Sequence, residues 1–159
     1  MSSPQDERLY RDLTREDDVG LVLRGLLHIE NQLIDIANAT LPFGERCDWG
    51  KFTYHVKVEL AYACGLPQEV RSTLLKLGKL RNDFAHKLDA AISKQNALDL
   101  YNCLPAKHRT VLQDSYKVMT SESVFSLDKI EPRDLVTLIF LNMHSATKAA
   151  SLALRRSAS

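Results

Sequence analysis

The sequence predicts an all-α protein. Apolar residues recur at spacings of three and four through most of the chain, and no segment alternates with period two. Residues that start and stop helices punctuate these runs: Thr14, Gly65, Pro67, Ser93, Pro105 and Pro132. The expected architecture is a compact, irregular bundle of five or six helices forming one domain over residues 14–156. With 159 residues the chain fits one domain and can bury a sizeable core.

Residues 1–13 are polar and expected to be flexible and frayed, with Leu9, Tyr10 and Leu13 able to form a short docking turn. Thr14-Arg15-Glu16-Asp17 resembles a capping box, with an acidic residue three after the Thr. The helix after it should run to about Asn38, burying Val19, Val22, Leu23, Leu26, Leu27, Ile29, Leu33, Ile34 and Ile36 on one wide face. Gly20 and Gly25 weaken it locally and leave room for a close neighbour. Leu41-Pro42-Phe43-Gly44 ends it, and a loop holds the single tryptophan, Trp49.

A second helix spans about Phe52 to Cys64, stopped by Gly65. Pro67 suits the first turn of a third, which carries Val70, Leu74, Leu77, Leu80, Phe84 and Leu88. Ser93 caps a fourth helix over Lys94–Leu104. Pro105 starts another, with Val111, Leu112, Tyr116, Val118 and Met119 as apolar positions. Residues 120–130 are Ser-rich and irregular. Pro132 opens a long last helix, with Arg155 and Arg156 complementing the dipole at its end.

The formal net charge of +1 gives no global case for nucleic acid or membrane, so either partner would need a local basic patch. Cys47, Cys64 and Cys103 are odd in number and far apart, which reads as reduced thiols in a cytoplasmic protein. The start of the chain resembles neither a signal nor a transit peptide. No apolar run approaches a membrane span. His28, His55, His108 and His144 lack ligand spacing, so neither a metal nor a cofactor is expected.

The chemistry-bearing stretch is Leu77-Gly78-Lys79-Leu80-Arg81-Asn82-Asp83-Phe84-Ala85-His86. An Arg and a His so close to Leu80, Phe84 and Ala85 are expected at a core wall or in a cleft. Five residues apart on a helix, Arg81 and His86 point roughly 140° away from each other. Asn82 and His86 share a face. Cooperation between Arg81 and His86 therefore calls for two copies meeting at a two-fold axis. Such a groove suits RNA cleavage without a metal. The Arg fork would bind the phosphate, His86 would move the proton, and Asn82 would support them by orienting the His or binding the phosphate. Lys76, Lys79 and Lys87 would draw in the RNA backbone. The bland reading pairs Arg81 with a carboxylate and makes His86 a helix cap.

Arg81-Asn82-Asp83-Phe84-Ala85-His86 resembles the Arg-x4-His signature of the HEPN superfamily of helical domains, which includes ribonuclease toxins and defence proteins. Carried over by position, Arg81 and His86 are the catalytic pair that this resemblance implies. The stretch Lys57-Val58-Glu59-Leu60-Ala61-Tyr62-Ala63-Cys64-Gly65-Leu66, joined to Leu80–His86, resembles the mannitol-operon-repressor-like family over roughly residues 19–90. The two resemblances imply a HEPN-like fold and a metal-independent endoribonuclease or RNA-binding protein in a toxin or defence setting. The alternative they imply is a non-catalytic transcriptional regulator acting through a protein partner or DNA. Implied partners are a second copy in a homodimer, and RNA or an antitoxin-like regulatory protein. DNA enters through residues 57–77, whose spacing resembles a helix-turn-helix with Gln68, Glu69, Arg71, Ser72 and Thr73 on the second helix. Arg71 stands there where an apolar residue is expected, which favours a plain turn within a bundle.

Overall fold

The computed structural model describes residues 4–157 except Leu88. Leu88, expected as an apolar position of the third predicted helix, lies outside the described residues. Among the described residues seven α-helices form the bundle: α1 Pro4–Arg15, α2 Asp18–Thr40, α3 Tyr54–Ala63, α4 Gln68–Ala85, α5 Lys94–Cys103, α6 Ala106–Thr120 and α7 Pro132–Ser157. Two short 3₁₀ turns, Gly44–Arg46 and Trp49–Lys51, occupy the loop between α2 and α3. There is no strand among the described residues.

The additional helix is α1, where a frayed segment is expected from the sequence. Leu9 and Leu13, four residues apart, are both fully buried, and this pair holds α1 against α2 and α7. The start of α2 moves accordingly. Asp17, not Thr14, is its N-cap, with its carboxylate accepting from Gly20 N–H at 2.7 Å. Thr14 instead belongs to α1, bonding back to the Tyr10 carbonyl at 2.9 Å.

The long helices α2 and α7 form the axis of the bundle, and most other elements pack on one or both of them. They pack tightly at Gly25, where an added Cβ would sit 2.6 Å from the ring of fully buried Phe140. Arg133 at the start of α7 joins Asp18 at the start of α2 at 2.5 Å and also donates to the carbonyls of Leu13 and Glu16. The second Asp18 oxygen accepts from Ile92 N–H at 2.8 Å. Asp18 and Arg133 thereby tie together α1, α2, α7 and the segment before α5.

The turn between α3 and α4 is a Schellman motif. Leu66 N–H bonds to the Ala61 carbonyl at 2.9 Å and Gly65 N–H to the Tyr62 carbonyl at 3.0 Å. Gly65 has φ 112°, which a residue with a side chain adopts only with strain. Ser93 and Asn96 form a reciprocal capping box at the start of α5. Phe125, in the irregular segment after α6, stacks on Tyr101 and meets Tyr116 edge-on, so these three aromatics pack on one another.

Candidate anion-binding groove between α3 and α4

The groove begins with a glycine. Position 78 faces the ring of Tyr54, and a Cβ there would come within 2.7 Å of it. This absence of a side chain lets the start of α3 settle onto the middle of α4. Tyr54 is buried, and its hydroxyl donates to the Leu74 carbonyl at 3.0 Å. Burial pushes the Tyr54 phenol well above its usual range; the Glu30 carboxylate adds to the rise and Arg81 opposes it. Tyr54 is therefore a neutral, fixed wall.

Behind that wall lies an ion pair between Glu30 of α2 and Lys57 of α3, the lysine only 7% exposed. Burying an ammonium this deeply is tolerable only with a partner, and Glu30 supplies it. The pair leaves no spare charge facing the groove.

The groove itself has a volume of about 450 Å³. Its rim is formed by Thr53, His55, Lys79, Arg81 and Asn82, with Tyr54, Leu75 and Gly78 beneath. Thr53 caps α3, its hydroxyl accepting from Val56 N–H at 3.4 Å, so the positive end of the α3 dipole opens nearby. Arg81 is half-buried, whereas His55, Lys79 and Asn82 are exposed. The expected carboxylate partner of Arg81 is missing: among the described residues no side chain bonds to it or pairs with it. A half-buried guanidinium beside a lysine, an asparagine and a histidine is suited to holding a phosphate or carboxylate group.

The structure separates the residues that the sequence grouped. Arg81, Asn82 and Lys79 line the groove. His86 does not. It occupies the C-cap of α4 with φ −101° and ψ 3°, exposed to solvent. The expectation of a histidine in a cleft is thus corrected: Ala85 ends the helix, and His86 projects past the end of the groove-forming helix. Lys87 follows it outside the helix, also exposed, and half-buried Lys76 lies a turn before the groove. The histidine that shares the groove with Arg81 is His55. Its sequence signal was its place just after a Thr N-cap, read together with Gly78 as the site of a close crossing.

Of the five residues of the helix-turn-helix reading, Gln68, Glu69 and Ser72 are exposed, whereas Arg71 and Thr73 are engaged within the bundle. Arg71 grips Glu59 through two nitrogens, at 2.7 and 3.1 Å, and lies over the ring of Tyr62. Thr73 is fully buried, bonding to the Cys103 carbonyl at 3.2 Å. Among the described residues no three His, Cys, Asp or Glu side chains come together as a metal site would need. No described helix is long and apolar enough to cross a membrane. Neither a protein-family model, nor a curated protein, nor a solved structure matches this chain.

Proposed function

We propose that this protein binds RNA, gripping the phosphodiester backbone in the groove between α3 and α4. The observation that carries this reading is Arg81: half-buried, flanked by Lys79, Asn82 and His55, and without a carboxylate partner among the described residues. Arg81 holds a phosphate, Lys79 adds charge, and Asn82 offers its amide to a phosphate or ribose oxygen. Lys76 on α4 and Lys87 just past its end add positive charge before and after the groove residues, and Asp83 is the single carboxylate between them in sequence.

The HEPN resemblance extends this reading to metal-independent cleavage in a toxin or defence setting. A histidine takes the proton from the ribose 2′-hydroxyl, the 2′ oxygen attacks phosphorus, and the bond to the 5′ oxygen breaks with a proton supplied to it. Arg81 stabilises the charge that builds on the phosphoryl oxygens. His86 lies outside the groove of its own chain, so the Arg81–His86 pair acts only across a homodimer. His55 is the one histidine placed to act beside Arg81 within a single chain.

The test is fluorescence anisotropy of labelled single-stranded RNA, alongside a cleavage assay in EDTA. Arg81→Ala weakens RNA binding and flattens its salt dependence by about 0.7 in the log–log slope, as expected for one lost phosphate contact. Loss of cutting in His86→Ala assigns cleavage to the paired-copy arrangement, and loss in His55→Ala assigns it to the single groove. Equal affinity of wild type and Arg81→Ala for RNA refutes the proposal.

A further inference from the structure

The loop between α2 and α3 carries three aromatic side chains that the core does not use. Phe43 is 65% exposed, and Trp49 and Phe52 are half-buried. The Trp49 and Phe52 ring centroids lie 5.6 Å apart, with their planes tilted by 55°. Neither ring belongs to the hydrophobic core or to the half-buried side chains packed against it, whereas Tyr116 and Phe125, also half-buried, do pack there. The pair is nevertheless held in place. Trp49 Nε1–H donates to the side-chain oxygen of Asn38 on α2 at 3.2 Å. Gly44 lies so near the same residue that a Cβ would stand 2.9 Å from the Asn38 Cα. Backbone bonds of 3.0 Å, from Cys47 N–H to the Gly44 carbonyl and from Lys51 N–H to the Asp48 carbonyl, close the two 3₁₀ turns. Fixed aromatic faces outside the core suit a planar ligand, because stacking then has little side-chain freedom left to remove.

We propose that Trp49 and Phe52 form the base-stacking half of the RNA site, so that the RNA this protein takes is single-stranded. The inference rests on the Arg81 reading of the groove between α3 and α4 and names the form of RNA that fits it. Phe52 is followed directly by Thr53, a rim residue of that groove, one Cα step of about 3.8 Å away. The rings thus adjoin the groove along the chain, and a strand held by Arg81 lays an unpaired base on the face of Trp49, with Phe52 against the base's edge. In a duplex the bases are stacked on one another and have no free face to offer. The loop adds no net charge: Arg46 and Lys51 are offset by Glu45 and Asp48, and Lys51 pairs with Asp48 at 3.2 Å. Its grip on the strand is therefore stacking, which tolerates any base, while Arg81 and Lys79 supply the attraction for phosphate.

Trp49 is the only tryptophan in the chain, so its fluorescence reports on this loop alone. The wild-type protein is titrated with three unlabelled probes of equal length: a single-stranded RNA, a blunt RNA duplex and an abasic ribose-phosphate chain. The single strand quenches Trp49 at the midpoint where anisotropy detects binding, and the other two leave it unquenched. Trp49→Leu weakens single-strand binding about tenfold, as one lost stack does, and leaves the salt slope unchanged. Trp49→Phe keeps most of the affinity. Phe52→Ser, which leaves the Trp49 bond to Asn38 in place, weakens binding in the same way and guards against a folding defect in Trp49→Leu. A strand that binds through Arg81 without changing Trp49 fluorescence, and binds Trp49→Leu and Phe52→Ser as tightly as the wild type, overturns the stacking and leaves the Arg81 reading standing. Equal quenching by duplex and single strand overturns the single-strand assignment. Failure of every probe to bind removes the Arg81 reading and this inference with it.

Discussion

Tyr54 lies against Gly78, and the contact leaves no room for a methyl group: a Cβ at position 78 would stand 2.7 Å from the ring. This packing sets the distance between α3 and α4 and therefore the width of the groove. Gly78→Ala forces Tyr54 aside, at a cost of about 1–3 kcal/mol typical of overpacking. Two losses are expected together in that variant: a lower urea midpoint and weaker RNA binding. Binding at wild-type strength in the folded variant would show that groove width is unimportant.

The Glu30–Lys57 pair behind the groove gives a stability prediction. Lys57→Met leaves the Glu30 carboxylate in a poorly hydrated place without its partner, costing on the order of 3 kcal/mol. Adding Glu30→Gln recovers most of the loss, because neither side chain then carries an unpaired charge. Chemical denaturation of the two variants measures both numbers.

Asp18 provides a second test of the fold, at the opposite end of α2 from the α2–α3 loop. Asp18→Ala removes the acceptor for Arg133 and for Ile92 N–H. The expected cost is about 2 kcal/mol, the range of hydrogen bonds to a charged group. Amide exchange should quicken at Ile92 and in the first turns of α2 and α7 before it quickens in α4.

Alkaline pH acts through Tyr54. Its folded-state pKa is raised, chiefly by burial, so the folded state holds its proton where the unfolded chain releases one. The stabilisation is complete below the unfolded value of about 10 and is lost as pH rises beyond it. Cys64, also raised by burial, adds to the decline in the same direction from a slightly lower pH. Tyr54→Phe costs about 1 kcal/mol at neutral pH through the lost bond to Leu74. Above pH 10 it loses stability less steeply than the wild type. Thermal melts across this range give the comparison.

The helices were legible where apolar periodicity coincided with a cap. Ser93 starts α5 with the expected box, and Gly65 stops α3 with a positive φ. Helix α1 was not legible because, among its described side chains, Leu9 and Leu13 are the buried ones, and two leucines among charged residues look like a tail. The Arg81 groove was half legible. Neighbours in sequence, Lys79, Arg81 and Asn82, reach one groove because they flank Gly78 on α4. His55 was hidden because its proximity comes from the crossing of two helices, and His86 misled because proximity in sequence across a helix end does not mean a shared face. The exposed apolar face of α6 was likewise invisible: Val111, Val118 and Met119 have the spacing of core residues, and only the bundle shows them exposed.

The central claim is that Arg81 meets the RNA backbone in the groove between α3 and α4. Titration of the isotopically labelled protein with a short single-stranded RNA, followed by nuclear magnetic resonance, tests it most directly. The account predicts that the Arg81 side-chain Nε–H and the amides of Thr53–His55 and Lys79–Asn82 shift together, and that Arg81→Ala abolishes the shifts of its neighbours. Shifts centred on Arg71 or on the exposed face of α6, or none at all at saturating RNA, would contradict it.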